Sequence, residues 1–396
     1  MKTLAVLALS AIVCPSAWAL KPVDATEKFL IETAPGETRW VTEAEKFELK
    51  ELVMMQKVVS ATKLTPRFVW KKHIDFFDIT DEQDLDFSFA AEKVLAQFPT
   101  QLRYVAEAKP LAARLSKDTM RRNLERFSSF HNRYYRSQTG VQSANWLFEQ
   151  ANAIVSNSGA ARRGATVRKF SHNFQQPSII VTIPGRSRNT IVVGAHQDSV
   201  NSRSPTNGRA PGADDNGSGS ITILDALRAL LTSPKIAQGE AQNTIEFHWY
   251  AGEEAGLLGS QDIFRRYRSE GRAVKAMLNQ DMTGFTRRRE SAGLPEAFGV
   301  ITDNVDAGLS EFCRLVIRGY TDITFVNSSC GYACSDHASA TRNGYPSAFI
   351  FEADQPHSNP SIHTTNDVIG NVNFDHVEQH GKLVIGFVYE LAFTNL

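Results

Sequence analysis

Two adjacent glutamates, Glu253 and Glu254, follow the apolar residues 244–250, whose pattern is typical of a buried strand. Neighbouring carboxylates repel each other when both are ionised, so such a pair is normally solvated or held by a cation. Taken alone, the pair favours an exposed Glu-Glu sequence that opens the next helix. We interpret it instead as catalytic, because other parts of the chain supply residues that could hold cations beside it.

A histidine and an aspartate follow another apolar run, residues 190–195, in the sequence His196-Gln-Asp198. Both side chains point to the same side of an extended segment, so Asp198 could accept a hydrogen bond from the second ring nitrogen of His196. A core histidine bonded to an aspartate is the structural alternative. Asp214 and Asp215 precede a glycine-rich helix start, where two acidic residues could equally cap that helix.

Five candidate metal ligands come from five different loops: His196, Asp215, Glu254, Asp281 and His363. A mixed set of imidazole and carboxylate ligands suits zinc or a similar divalent ion. One catalytic zinc typically takes about three protein ligands and a water, so five are too many for one ion. A shared carboxylate with one histidine and one further carboxylate on each side fits two ions, about 3.5 to 4 Å apart. We therefore predict two Zn²⁺ per chain as cofactors.

Such a site needs several strands that end at one edge of a sheet. Short apolar runs alternate with helical patterns along residues 179–393, as in an α/β protein. The predicted fold is a three-layer αβα domain with a mixed, mostly parallel central sheet flanked by helices. Sites in such sheets form beyond the carboxyl ends of strands, where these motifs fall. Two earlier helices are predicted at residues 119–136 and 142–155, with Gly140 in the loop between them.

The 396-residue chain has an ordinary globular composition, with 42% hydrophobic and 22% charged residues. Lysine plus arginine and aspartate plus glutamate are both 43, so no excess charge indicates a nucleic acid or an anionic membrane as partner. After the N-terminus there is no run of about 18 apolar residues that could anchor the chain in a bilayer. We expect no nucleic-acid partner, no membrane and a monomer.

The N-terminus has the basic, apolar and small-residue segments of a signal peptide over residues 1–19, which predicts cleavage after Ala19. Residues 20–88 are interpreted as a propeptide with an approximate boundary. They contain a capping box at residues 42–45 and end in an acidic run typical of a solvated linker. Residues 89–396 are the predicted catalytic domain, and the expected location is secreted and extracellular.

An oxidising destination permits a disulfide, and Cys330 and Cys334 are the expected pair. Cys313 is expected to be a small buried hydrophobe. Asn327 begins the sequence Asn-Ser-Ser and is the expected glycosylation acceptor. A second such sequence at Asn216 lies inside the acidic motif and is not an expected acceptor.

These motifs, in this order and with these separations, resemble those of the secreted two-zinc aminopeptidases, in particular the fungal extracellular leucine aminopeptidases. The resemblance covers roughly residues 89–396 and, more loosely, the propeptide. The matching strings are Gly194-Ala-His-Gln-Asp-Ser, Pro211-Gly-Ala-Asp-Asp-Asn-Gly-Ser-Gly, Gly252-Glu-Glu-Ala-Gly-Leu-Leu-Gly-Ser, Gln280-Asp-Met-Thr, Cys330-Gly-Tyr-Ala-Cys-Ser-Asp-His and Ile362-His-Thr-Thr.

The resemblance implies a fold like that of the zinc exopeptidases and a zinc-dependent aminopeptidase activity. It implies that Asp215 bridges the two metals and is followed by a cis peptide bond, and that Asp214 supports it. One metal site would be completed by His196 and Asp281, and the other by Glu254 and His363.

The resemblance also implies the catalytic roles. Glu253 would be the general base that takes a proton from the attacking water and returns it to the leaving amine. The hydroxyl of Tyr332 would help to hold the developing oxyanion. The substrate's free α-amine could occupy the remaining metal face, so peptide or protein N-termini are the expected substrates.

A group of apolar residues adjoins the proposed ligands: Met282, Phe349, Phe351 and Ile362. We interpret the group as the substrate pocket, with the loop from Cys330 to Cys334 at one edge, although each residue could equally be plain core. The group predicts a preference for Leu-like N-terminal residues.

Two other functions stay open at this stage. A glutaminyl cyclase-type acyltransferase uses a single zinc on the same fold, and a non-catalytic binding ectodomain would be expected to have lost ligands. His337 is an extra candidate ligand, but the ligand set is complete without it. We interpret His337 as a hydrogen-bonded structural residue.

Overall fold

The computed structural model describes residues 26–34, 36–49, 76–80 and 96–396. The predicted signal peptide, residues 1–19, lies outside the described residues. So do the predicted propeptide boundary near residue 88 and most of the acidic run before it. Within the described part of the chain, no helix is both long and apolar enough to cross a membrane.

A small antiparallel sheet forms from the N-terminal segment, in the strand order β2-β1-β3. Its elements are β1 (Lys28–Ala34), β2 (Glu37–Thr42), the helix α1 (43–49) and β3 (Phe77–Asp78). The predicted capping box opens α1: Thr42 Oγ1 accepts the backbone N–H of Glu45, and Glu45 Oε2 accepts that of Thr42.

The central sheet has eight strands in the order β10-β9-β11-β8-β6-β7-β5-β4. Four of its seven neighbouring pairs are parallel. The strands are β4 (Thr166–Phe170), β5 (Ser178–Ile183), β6 (Thr190–His196), β7 (Thr244–Tyr250), β8 (Val274–Gln280), β9 (Ala297–Ile301), β10 (Thr324–Ser328) and β11 (Ser347–Phe351).

Helices cover both faces of this sheet, because its inner strands are apolar on both sides. They are α2 (Val105–Ala112), α3 (Lys117–Ser129), α4 (Gln138–Asn157), α5 (Gly219–Leu230), α6 (Pro234–Ala237), α7 (Leu258–Ser269), α8 (Arg287–Ser291), α9 (Ala307–Tyr320), α10 (His337–Arg342) and α11 (Phe374–Ala392). Alternate residues of β6 show the two faces. Ile191 and Val193 join the large core with α3, α4, α5, α9 and α11, and Val192 joins a smaller core with α7 and α10. The predicted three-layer fold is confirmed.

The predicted helix boundaries before the sheet are wrong. Helix α3 ends at Ser129, and residues 131–136 are not helical. Helix α4 begins at Gln138, so Gly140 lies inside it rather than in a loop. A Cβ at Gly140 would lie 2.1 Å from the carbonyl oxygen of Tyr134, so only glycine lets the first turn of α4 pack this closely against the preceding chain.

The edge strands β4 and β10 were not predicted from the sequence. Each has exposed or half-buried residues throughout, and β4 carries Arg168 and Lys169. Polar edge strands lack the continuous apolar run that identifies buried strands. What identifies them as strands is their pairing in the structure, of β4 with β5 and of β10 with β9.

Candidate active site

Four parallel strands bring the predicted ligands to one edge of the central sheet. Strands β6, β7, β8 and β11 run in the same direction, so their carboxyl ends share that edge. β6 ends at His196, and β8 ends one residue before Asp281. The glutamate pair lies in the turn between β7 and α7, and His363 lies in the loop between β11 and α11.

Within the described part of the chain, the five predicted ligands form two groups that share Asp215. His196 Nε2 lies 3.1 Å from Asp215 Oδ1 and 3.2 Å from Asp281 Oδ1. On the other side, His363 Nε2 lies 3.0 Å from Asp215 Oδ2 and 2.9 Å from Glu254 Oε2. The two oxygens of Asp215 therefore face different histidines, as expected of a carboxylate that bridges two ions.

The donor set of these groups fits zinc. Each group offers one imidazole nitrogen and two carboxylates, with the candidate ligand atoms within 4.8 Å of one another. The carboxylates are at most 7% exposed, and buried charges so close together need cations beside them. The residues present could therefore hold two metal ions.

Before a cation binds, both histidines of the groups carry protons. Burial lowers the pKa of His363, but Glu254 and Asp215 outweigh it and raise the pKa to about 10. Burial also lowers the pKa of His196, while Asp281 and Glu253 hold it well above its usual value. Since a histidine binds zinc through an unprotonated nitrogen, metal binding must release these protons.

Asp198 connects His196 to the turn that carries Glu253 and Glu254, which we call the glutamate turn. Its Oδ1 lies 3.4 Å from His196 Nδ1, the ring nitrogen that faces away from Asp215. Its Oδ1 and Oδ2 also accept the backbone N–H groups of Glu253 and Glu254, each at 3.1 Å. One buried carboxylate thus orients a candidate ligand and the turn that carries another.

Glu253 lies beside the group of His196, Asp215 and Asp281, which we call the first group. Among the described residues, it belongs to neither group. Its Oε2 is 4.0 Å from His196 Nε2. Glu253 and Glu254 are 5% and 1% exposed and lie in a turn, five and four residues before α7 begins at Leu258. The alternative of an exposed pair that opens a helix is therefore wrong.

The backbone takes uncommon conformations at the ligands. His363 and Met282, the residue after Asp281, have φ angles of 58° and 57°. Residues other than glycine rarely adopt this left-handed region, which costs roughly 1 kcal/mol or more at each position. The peptide bond between Asp215 and Asn216 is cis, as the resemblance implies.

Sequence reasoning missed residues that hold the ligands from behind. Asp367 accepts the backbone N–H of Asp215 at 3.0 Å and that of Asp214 at 3.1 Å. Ser335 Oγ donates to Asp281 Oδ2 at 2.6 Å. The only signal in the sequence is position, since Asp367 follows His363 by four residues and Ser335 lies in the cysteine motif.

Two further buried groups support the turn that carries Asp215. The Arg133 guanidinium donates to the carbonyl oxygens of Pro211 and Gly212 at 2.5 and 2.8 Å. Asp214 Oδ1 accepts the N–H of Gly284 at 3.0 Å, and burial raises the pKa of Asp214. Asp214 thus supports the turn, as the resemblance implies, and Arg133 was not identified from the sequence.

An apolar cluster contains all four predicted pocket residues and adjoins the first group through Met282. It consists of Met282, Ile301, Cys330, Tyr332, Cys334, Phe349, Phe351 and Ile362. Cys330 and Cys334 form a disulfide, and Cys313 is a separate buried thiol. The structure therefore places Tyr332 and the disulfide loop against the predicted pocket.

His337 is buried beneath this cluster. Its ring centroid lies 4.9 Å from that of Phe349, and its Nε2 lies 3.3 Å from the carbonyl oxygen of Asp303. Burial lowers the pKa of His337 to about 4, so the ring is neutral at neutral pH. These contacts agree with a structural role.

The two glycosylation sequences differ in exposure. Asn327 is exposed on β10, and Asn216 is buried.

The family model described as Peptidase family M28 matches residues 178–388. This range is more than half of the chain and includes all five candidate ligands. The chain belongs to peptidase family M28.

Two relatives that match almost the full length of the chain carry the same name. The leucine aminopeptidase 1 of Arthroderma gypseum is 55% identical and covers 99% of this chain and 100% of its own. That of Trichophyton rubrum is 54% identical with the same coverage. With the family, these relatives confirm the predicted enzyme class, a metallo-aminopeptidase hydrolase.

Solved structures show the same fold. The Legionella pneumophila LapA aminopeptidase has a TM-score of 0.74 at 27% identity and covers 91% of this chain and 92% of its own. A Porphyromonas gingivalis glutaminyl cyclase has a TM-score of 0.57 at 18% identity and covers 70% of this chain and 99% of its own. At that identity the second likeness concerns the fold alone.

Zinc binding to the metal-free M28 peptidase is expected to release about two protons near pH 7, because both site histidines are protonated before it binds. Zinc affinity should accordingly rise with pH toward about 10, the pKa of His363. Calorimetric titration of chelator-treated protein in buffers of different ionisation enthalpy measures the number of protons.

Asp215→Ala should weaken zinc binding at both groups, whereas Asp375→Ala, on the exposed start of α11, should not. Binding without proton release would contradict the protonated histidines. Unchanged binding by Asp215→Ala would contradict the shared ligand.

Proposed function

We propose that this chain is a secreted aminopeptidase that hydrolyses the N-terminal peptide bond of peptides and proteins and prefers Leu-like residues. It would use two Zn²⁺, with Glu253 as general base. The observation that carries this proposal is the division of the two Asp215 oxygens between two histidine-carboxylate groups. The names of relatives that are 51–55% identical over the whole chain support the leucine aminopeptidase reaction.

A single-zinc glutaminyl cyclase is the main alternative, since proteins of that name share the fold. Such an enzyme needs one group of ligands, whereas two groups are complete here. A binding protein without catalysis would be expected to lack ligands, and none of the five is missing. Both considerations favour hydrolysis with two ions.

Glu253 is the proposed proton carrier. Two bound zinc ions would make a water molecule more acidic and polarise the substrate carbonyl. The Glu253 carboxylate would take the proton of the attacking water and deliver it to the nitrogen of the leaving amine. Its place beside His196 but outside both groups supports this role, as does the hydrogen bond from its N–H to Asp198.

Tyr332 is the proposed donor to the oxyanion. Its side chain packs in the same apolar cluster as Met282 and Ile362, the neighbours in sequence of Asp281 and His363. A hydroxyl held beside the reacting carbonyl stabilises charge that develops only in the transition state. Asp198 acts through His196 and the glutamate turn rather than on the substrate.

The apolar cluster is the proposed pocket for the substrate's first side chain. The side chains of this cluster are apolar, apart from the hydroxyl of Tyr332. A leucine side chain would gain by burial among these apolar groups, whereas a lysine ammonium would lose hydration there. The cluster therefore supports a preference for Leu-like residues.

The proposed propeptide, residues 20–88, contacts the chain directly behind the glutamate turn. Phe47 packs in one cluster with Tyr134 and Ala255. Lys46 forms a buried ion pair with Asp78 and donates to the carbonyl oxygen of Ala255 at 3.3 Å. These contacts favour a role in folding the catalytic domain, residues 89–396.

Secretion is proposed from the signal sequence, residues 1–19. Glycosylation is proposed at Asn327, whose exposure on the edge strand β10 would leave it accessible. Treatment of the secreted protein with an N-glycosidase should lower its apparent mass. Asn327→Gln should abolish this decrease in mass. An unchanged decrease in this variant would exclude Asn327 as the acceptor.

Glu253→Gln is expected to lower kcat by about a thousandfold while both zinc ions stay bound, because it removes the proton carrier and no ligand. Glu254→Gln, which changes a ligand, should instead lower the zinc content. Turnover of a leucine amide and metal analysis of the same samples measure both effects. Retained turnover in Glu253→Gln would refute its role as base, and a wild-type content of one tightly held zinc would favour the cyclase alternative.

Leucine amide is expected to be cleaved with a kcat/KM at least about tenfold above that of lysine amide, since burial of a leucine side chain contributes roughly 1.5 kcal/mol or more. Initial rates with the two amides at several concentrations measure the ratio. Faster cleavage of the lysine substrate would contradict the apolar pocket.

Expression of residues 89–396 behind the signal sequence is expected to yield much less secreted active enzyme than the full chain, because removal of the segment uncovers the apolar residues around Tyr134. Phe47→Ala in the full chain should lower the yield in the same direction. Trp40→Ala is the matched control, since Trp40 is 50% exposed in the same segment. Full secretion of active enzyme without residues 20–88 would rule out a folding role.

A further inference from the structure

The disulfide loop, residues 330–334, is hydrogen-bonded to a turn that has no role in the proposed catalysis. Strand β9 runs antiparallel to β11, so the turn after β9 lies at the start of β11. Asp303 and Asn304 lie in this turn, and the backbone N–H of Asp306 just after it donates to the carbonyl oxygen of Ser347, at the start of β11, at 2.7 Å. The turn therefore lies at the amino end of β11, whereas the candidate metal site lies at its carboxyl end.

Three successive backbone N–H groups of the disulfide loop point at one carboxylate. Asp303 Oδ1 accepts the N–H of Cys330 at 3.1 Å, and its Oδ2 accepts those of Gly331 at 2.6 Å and Tyr332 at 3.2 Å. Hydrogen bonds to an ionised carboxylate are about twice as strong as those between neutral groups. Asp303 thus binds the backbone of Tyr332 and of the two residues before it.

Neighbouring groups complete the attachment. Asn304 Nδ2 donates to the carbonyl oxygen of Tyr332 at 3.0 Å, so both backbone polar groups of Tyr332 are bonded to this turn. The ring of His337, which is neutral at neutral pH, donates from Nε2 to the carbonyl oxygen of Asp303 at 3.3 Å. The backbone of the turn is therefore itself held in place.

The loop is attached at its other end to the candidate metal site, where Ser335 Oγ donates to Asp281 Oδ2. Tyr332 lies between the two attachments. The Cys330–Cys334 disulfide ties the loop to itself but not to the sheet, so it does not determine where the loop lies. Asp303 supplies that connection on the side of Tyr332.

We propose that Asp303 is a positioning residue, which holds the Tyr332 side chain at the pocket by accepting the three N–H groups of residues 330–332. Its carboxylate binds backbone N–H groups of the loop, so it would act through Tyr332 rather than on the substrate. The catalytic part of this inference rests on the proposed role of the Tyr332 hydroxyl, whereas the attachment of the loop does not.

Amide hydrogen exchange tests the attachment without reference to activity. Asp303→Ala should speed exchange in the peptide that covers residues 330–332 by at least about tenfold, because three hydrogen bonds lose their acceptor. The matched control is Asp306→Ala, which removes an aspartate three residues away that caps α9 through the N–H of Leu309. It should speed exchange at the start of α9 and leave the disulfide loop unchanged. Unchanged exchange of the loop in Asp303→Ala would overturn the proposal.

A double-mutant cycle with Tyr332→Phe tests the function. Tyr332→Phe should lower kcat by about a hundredfold with a smaller change in KM. Asp303→Ala should lower kcat by about tenfold in the wild-type background and by less than about twofold in the Tyr332→Phe background, because its effect passes through the hydroxyl. Asp306→Ala should lower thermal stability but not kcat.

The conservative variant Asp303→Asn keeps one acceptor oxygen and should recover part of the activity lost in Asp303→Ala. Where Asp303→Ala does not fold, Asp303→Asn is compared in the same two backgrounds and interpreted in the same way. Equal losses of kcat in both backgrounds would overturn the positioning role. Full activity of Tyr332→Phe would overturn it together with the role of Tyr332, while a wild-type protein without aminopeptidase activity would refute the proposed function and leave the exchange result standing.

Discussion

Buried negative charge is the physical constraint on this site. Asp215, Glu253, Glu254 and Asp281 converge at one edge of the sheet, and each is at most 7% exposed. Carboxylates at such distances cannot remain ionised together in a poorly solvated place unless positive charge lies between them. Protonated histidines supply that charge before metal binds, and the proposed zinc ions would replace those protons. The rest of the site keeps the charges where cations can lie between them.

Carboxylates that are not candidate ligands hold these loops in place by accepting their backbone N–H groups. Asp198 accepts the N–H groups of the glutamate turn, and Asp367 accepts those of the turn that carries Asp215. Asp303 binds the disulfide loop in the same way. Each carboxylate accepts several backbone N–H groups of one loop, so these loops are held by charge-assisted hydrogen bonds although they have no regular structure.

The fold and the five candidate ligands could be predicted from the sequence, because both leave local signals. Buried strands are apolar runs, and His196 is the last residue of one such strand while Asp281 directly follows another. The backing residues leave no such signal. Asp367 meets Asp215, and Asp303 meets Tyr332, only because the chain folds back over long separations. The edge strand β4 was missed for a related reason, since its partner rather than its own residues defines it.

The spread of the proposed ligands from residue 196 to residue 363 affects the order in which the protein is assembled. Each group combines loops that follow different strands, so no short stretch of the unfolded chain could present a complete group to zinc. In a zinc finger the metal is part of the folding reaction, whereas here the proposed ligands would come together only once the strands that carry them have paired. Loading of the proposed zinc ions would then be a late step of maturation, and the supply of zinc where the folded domain resides would set how much of it is active.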